Sequence, residues 1–121
     1  MAICSTINLP RHAVGTQHSL KVWRFGEPGA SPKVYIQGSM HADELPASLA
    51  AAKLLPKLIT ADEAGKISGE IILVPVANPV GLNNVSLRNH NGRYHLPTGE
   101  NYNRCFHDVS DDVLGANDGN M

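Results

Sequence analysis

Lys33-Val34-Tyr35-Ile36-Gln37-Gly38-Ser39-Met40-His41-Ala42-Asp43-Glu44 is the stretch from which the fold is read. Its first six residues read as a strand, whose end delivers His41 to the rim of a sheet, where open α/β sheets bind ligands. From Asp43 the composition changes. Leu45, Leu49, Ala50, Ala52, Leu54 and Leu55 are helix formers with an apolar stripe, so a helix over 44–56 is expected to pack on the sheet. Pro46 is tolerable in the first turn, whereas Pro56 is expected to kink or end the helix and leave Lys57-Leu58-Ile59 as a further turn or two. Ala61-Asp62-Glu63-Ala64-Gly65 then reads as a polar exit.

Downstream, Gly69-Glu70-Ile71-Ile72-Leu73-Val74-Pro75-Val76 has the near-continuous apolar core of a strand buried on both faces, which places it centrally. Pro75 lacks a ladder donor and should end the pairing on that side. The strand, helix, strand order from 33 to 76 is a crossover unit, implying parallel pairing with a right-handed connection. The fold class is therefore α/β, a mixed and largely parallel sheet with flanking helices. Upstream, Leu20-Lys21-Val22-Trp23-Arg24-Phe25 alternates as a strand with one buried face. The turn formers of Gly26-Glu27-Pro28-Gly29-Ala30-Ser31-Pro32 suggest a hairpin into the 33–38 strand. Residues 1–18 show no clear period. Asn78-Pro79 reads as a turn, and the Asn-, Gly- and His-rich segment after it, running to Glu100, reads as a long functional loop. Beyond Asp111 the chain has too few apolar residues to order itself, so 112–121 are expected to form a disordered tail.

A chain of 121 residues suits one modest domain. The balance of 10 basic against 11 acidic side chains gives no electrostatic argument for nucleic acid or for an anionic membrane. A small polar or charged substrate fits better. The apolar runs fall far below the roughly 20 residues that cross a bilayer, and the first residues lack the basic start and apolar core of an export signal. Cys4 and Cys105 form no C-x-x-C, so a reduced, cytoplasmic setting is expected, with Cys105 as a small buried hydrophobe.

His41 and Glu44 stand three residues apart where a helix begins, and positions i and i+3 share a helix face. Zinc accepts nitrogen from neutral His and oxygen from Glu, and a catalytic zinc normally has three protein ligands plus a water. The same spacing also arises on a solvated helix face, and the same donors also suit other divalent ions. Beyond this pair, four segments in order, His41-Ala42-Asp43-Glu44, Val76-Ala77-Asn78-Pro79-Val80-Gly81, Gly92-Arg93-Tyr94 and Asn101-Tyr102-Asn103-Arg104-Cys105-Phe106, resemble the succinylglutamate desuccinylase and aspartoacylase branch of the zinc carboxypeptidase-like superfamily.

That resemblance implies one zinc ion held by His41 and Glu44, with Arg93 as the oxyanion stabiliser and Arg88 as its less favoured substitute. It also implies Asn103 and Arg104 as the clamp for a substrate carboxylate. A guanidinium fork matches a carboxylate bidentately, and a fixed cation beside a developing oxyanion contributes most in the transition state. The implied activity is zinc-dependent cleavage of an amide bond in an N-acyl amino acid. A metallocarboxypeptidase and a non-catalytic carboxylate-binding fragment of the same fold are the alternatives. In that family the third zinc ligand is a His on a later strand and the general base a Glu later still, both expected past residue 121, leaving His90, His95 and His107 as lesser ligand candidates. The chain is thus expected to be the N-terminal part of a single catalytic domain, inactive alone, whose open sheet edges invite a second copy.

Overall fold

The computed structural model describes residues 1–11, 13–106 and 108. Four strands, β1 (Ile3–Asn8), β2 (Ser19–Gly26), β3 (Lys33–Gln37) and β4 (Glu70–Val74), form one sheet in the order β1-β2-β4-β3. β1 runs antiparallel to β2 and β2 antiparallel to β4, whereas β3 and β4 are parallel with Lys33 opposite Glu70 and Gln37 opposite Val74. The expected crossover unit is present, and β4 is central and stops one residue short of Pro75. The proposed tail over 112–121 and His107 lie outside the described residues.

Helix α1 (Leu45–Glu63) covers one face of the sheet. Phe25, Leu73, Ala51 and Leu58 make the core, with Trp23, Ile36, Leu54, Leu55, Ile59, Ile67 and Ile71 packed around them. Trp23 and Phe25 share a face of β2 because they are two residues apart. Their rings stack with centroids 6.3 Å apart. The buried face of α1 follows Ala51, Leu54, Leu55, Leu58 and Ile59, a helical i, i+3, i+4 pattern. Leu45 and Leu49, expected on that stripe, fall on the far side and are 71% and 58% exposed.

Of the two outcomes expected at Pro56, the helix end does not occur, since α1 runs through it to Glu63 without a separate turn. An interior proline costs about 3 kcal/mol, whereas full burial of an aliphatic side chain contributes about 1.5–3 kcal/mol. Leu58 and Ile59 both lie beyond the proline and pack into the core, so burial outweighs the break. The presumed polar exit also has a tertiary role. Asp62 Oδ1 accepts a 2.7 Å hydrogen bond from the Gly26 backbone N–H, and Oδ2 lies 3.2 Å from the N-terminal amine. Gly26 has φ +78°, and a Cβ there would lie 1.9 Å from the Gly69 carbonyl oxygen, so only glycine fits.

Two further expectations fail. β2 and β3 do not form a hairpin, because β4 inserts between them. Glu70, 1% exposed, shows why the insertion holds. Its carboxylate takes Arg24 of β2 at 2.6 Å, Lys33 of β3 at 2.9 Å and the Gly29 N–H of the connecting loop at 3.1 Å. Residues 3–8 are also a strand despite their missing period. Every β1 residue is exposed, so no face was selected to be apolar. No helix among the described residues is long and apolar enough to cross a membrane.

Lys33, the Gly29 N–H and Arg24 hold the Glu70 carboxyl down to about 2 from the ordinary 4.5. A lowered folded pKa means that ionised Glu70 stabilises the fold above the ordinary value and that this contribution is lost as pH falls toward 2. Urea unfolding should therefore show Glu70→Gln to be less stable than wild type at neutral pH, with the gap closing as pH is lowered from 4.5 toward 2. A gap that stays constant with pH would contradict the clamp.

Candidate functional site

Because β3 and β4 are parallel, the chain leaves both at the same rim. The Gly38 N–H donates to Val74 O at 3.0 Å and the Ala77 N–H to Gly38 O at 2.8 Å, so the two exit loops start zipped together. Ser39 then turns the chain with φ +58°, a conformation that non-glycine residues rarely adopt. It is buried, with its Oγ 2.6 Å from Ser48 Oγ and 3.3 Å from Pro75 O.

His41 and Glu44 are not on the helix, as the spacing suggested, but on the turn before it, closed by a 3.1 Å bond from the Glu44 N–H to His41 O. Pro46, in the first turn of α1, has no N–H to bond the Ala42 carbonyl, so the helical ladder cannot extend back through it. The turn does what the helix face was expected to do. His41 Nδ1 and Glu44 Oε1 lie 3.1 Å apart, His41 being 7% exposed and Glu44 50%. Zinc bonds of about 2.0–2.1 Å at a near-tetrahedral angle separate two ligand atoms by about 3.3 Å, so the pair suits one ion. Among the described residues no group of three or more His, Cys, Asp and Glu side chains gathers around a common point.

The segment after β4 is not a structureless loop. It holds α2 (Pro79–Leu82), capped by Asn78 Oδ1 accepting from the Gly81 N–H at 2.8 Å, and a small hairpin of β5 (Val85–Ser86) and β6 (Asn89–His90). Its elements are short and use side-chain caps and positive-φ turns, which leave no hydrophobic period to read. Asn78 Nδ2 donates to Met40 O at 2.9 Å, and the Ala42 N–H donates to Gly92 O at 3.1 Å, so this segment grips the His41 turn from two sides.

A second turn-back, bridged between Tyr94 and Asn101, carries Arg93 on one arm and Asn101 on the other. Arg93 Nη2 contacts Glu44 Oε1, the oxygen that also faces His41. Arg88, its substitute, sits at the β5–β6 tip with φ +69°. Asn101 was not singled out among the site candidates, yet its Oδ1 lies 2.7 Å from His41 Nε2. The readable signal was its place at the head of the Asn101–Phe106 motif, where an Asn side chain can accept from the backbone two residues on. It does so here, from the Asn103 N–H at 2.9 Å.

Asn103 and Arg104 are exposed, and Arg104 Nη1 donates to Asn103 O at 2.7 Å. Arg104 lines a pocket of about 520 Å³ with His95, Glu100, Asn101, Tyr102 and Cys105. That pocket joins the carboxylate-clamp candidate to the residue touching His41. Cys105 is exposed with φ +54°, not the buried hydrophobe expected. His90 Nε2 donates to Gly81 O at 3.1 Å, and His95 Nδ1 lies 2.8 Å from Thr98 Oγ1 with its ring edge-on to Tyr102. Both rings are thus engaged away from the His41–Glu44 pair.

Gly92 shows how closely the two segments approach. A Cβ there would lie 2.5 Å from Asp43 N and 2.8 Å from Ala42 C, both backbone atoms unable to yield. Gly92→Ala should therefore push the segments apart, lowering stability by about 1–3 kcal/mol in urea unfolding. An unchanged midpoint would contradict this close contact.

A family model for the succinylglutamate desuccinylase/aspartoacylase catalytic domain matches residues 30–120. A solved succinylglutamate desuccinylase/aspartoacylase structure from Shewanella frigidimarina NCIMB 400 superposes with a TM-score of 0.71 at 30% identity, over 94% of this chain and 30% of that one. A protein of the same family from Shewanella amazonensis SB2B gives 0.68 at 34%, over 95% and 31%. An aspartoacylase family protein from Mesorhizobium loti gives 0.51 at 29%, over 67% and 24%. No curated protein matches. The chain thus spans under a third of the length of these solved relatives, and with the parallel β3–β4 rim and its His41 turn inside the matched region, it belongs to the succinylglutamate desuccinylase/aspartoacylase family.

Proposed function

We propose that the His41–Glu44 turn is half of a zinc site in a hydrolase that cleaves the amide bond of an N-acyl amino acid or a related small carboxylate. The observation that carries this reading is the 3.1 Å approach of an imidazole nitrogen to a carboxylate oxygen at the rim of a parallel strand pair. Zinc bound there supplies Lewis acidity, polarising a carbonyl and making water more acidic. Arg93, already beside Glu44, is the cation that would face a developing oxyanion. Arg104, at the pocket, and its neighbour Asn103 would hold the substrate's carboxylate and set its register against the turn.

With two donor side chains together among the described residues, binding should be far weaker than at complete sites, where roughly 10–16 kcal/mol is available. A second reading, a carboxylate-binding module of the same fold that performs no chemistry, rests on the exposed Arg104 at its pocket. Edge strands β1 and β3 suit pairing with a second copy.

Release of free amino acid from N-acyl amino acids, measured with and without chelator, tests the reading. The 121-residue chain should be no faster than His41→Ala, while a chain continued by the family's downstream His and Glu should turn over in a chelator-sensitive way that His41→Ala abolishes. Turnover in the longer chain that survives both chelator and His41→Ala would overturn the zinc site. Arg104 binding of carboxylate without any turnover would favour the module.

A further inference from the structure

We infer that Asn101 is a positioning residue that fixes the tautomer of His41, so that Nδ1 is the nitrogen offered beside Glu44. A backbone N–H can only donate, so the Asn101 atom that the Asn103 N–H reaches at 2.9 Å is the amide's oxygen and not its nitrogen. That same oxygen lies 2.7 Å from His41 Nε2. A carbonyl oxygen has no hydrogen to give, so Nε2 carries the proton. A neutral imidazole holds one N–H, which leaves Nδ1 with a bare lone pair 3.1 Å from the Glu44 carboxylate oxygen.

Two lone pairs facing each other at that distance repel unless a cation lies between them. The Asn103 N–H therefore does indirect work: it orients the amide, the amide orients the imidazole proton, and the lone pair is directed to the side where Glu44 waits. His41 is 7% exposed, so water competes poorly for Nε2. The device uses a neutral amide, which directs the proton without placing a negative charge behind the ring. Its consequence for zinc rests on the function proposed above, but the tautomer itself does not.

The test uses the metal-free chain with 15N-labelled histidine in chelator at alkaline pH, and then zinc affinity by competition with a chromophoric chelator. Wild type should show His41 with a protonated Nε2 and an unprotonated Nδ1. Asn101→Ala should raise the Nδ1-protonated fraction and weaken zinc about 10–100-fold. Asn101→Asp retains an acceptor for both donors, so it should keep the wild-type nitrogen pattern and bind zinc at least as tightly. Unchanged nitrogen shifts in Asn101→Ala would overturn the inference. If that variant does not fold, loss of the Nε2 proton in Asn101→Asp overturns it instead. A wild-type chain that shows the expected tautomer but whose zinc affinity is unchanged by His41→Ala would sink the metal reading and leave the tautomer assignment standing.

Discussion

Parallel pairing of β3 with β4 is the constraint on which the site depends. Two parallel neighbours send the chain out at the same edge of the sheet, so the loop after Gln37 and the segment after Val74 meet without further design. An antiparallel pair would have put them at opposite ends. The pairing needs a crossover, which α1 supplies, and it needs β4 to displace the hairpin partner that β2 would otherwise take. Glu70 favours that displacement, since its carboxylate is satisfied only when Arg24, Lys33 and Gly29 surround it together. An unpaired buried carboxylate is costly, so the alternative strand orders lose more than one ion pair.

At the rim the polar groups form one connected chain. Arg93 and His41 meet at Glu44 Oε1, and Asn101 reaches His41 from the other side. The backbone of the His41 turn is held in turn by Asn78 and Gly92. A shared oxygen makes Glu44 the place where charges compete. The guanidinium and an incoming cation would both draw on the same lone pairs, so the oxyanion candidate and the proposed metal ligand cannot be treated as independent. The half-exposed position of Glu44 leaves it reachable from solvent, whereas buried His41 keeps its geometry.

Much of this was legible in the sequence, because it rests on hydrophobic period and on motif order. The continuous apolar run of 70–74 announced a central strand, and the switch to Leu and Ala after Asp43 announced the crossover helix. The illegible parts were those where tertiary contacts override local signals. Pro56 is a breaker by itself, yet Leu58 and Ile59 bury beyond it. Residues 3–8 lack alternation because neither face of β1 is buried. The turn formers at 26–32 gave no hint that another strand would slot in beside them. At the site, the convergence of His41 with Glu44 was readable from spacing, although a turn and not a helix face delivers it. Asn101 was not readable as a partner of His41, because a contact across 60 residues leaves no local trace.

The central claim, that His41 and Glu44 together bind zinc, is tested most directly by zinc-edge X-ray absorption on the zinc-loaded chain and its His41→Ala variant. The account expects a nitrogen and oxygen shell at about 2.0–2.1 Å that includes one imidazole, with the imidazole scattering lost in the variant. A sulfur shell at about 2.3 Å, or imidazole scattering that persists without His41, would contradict it.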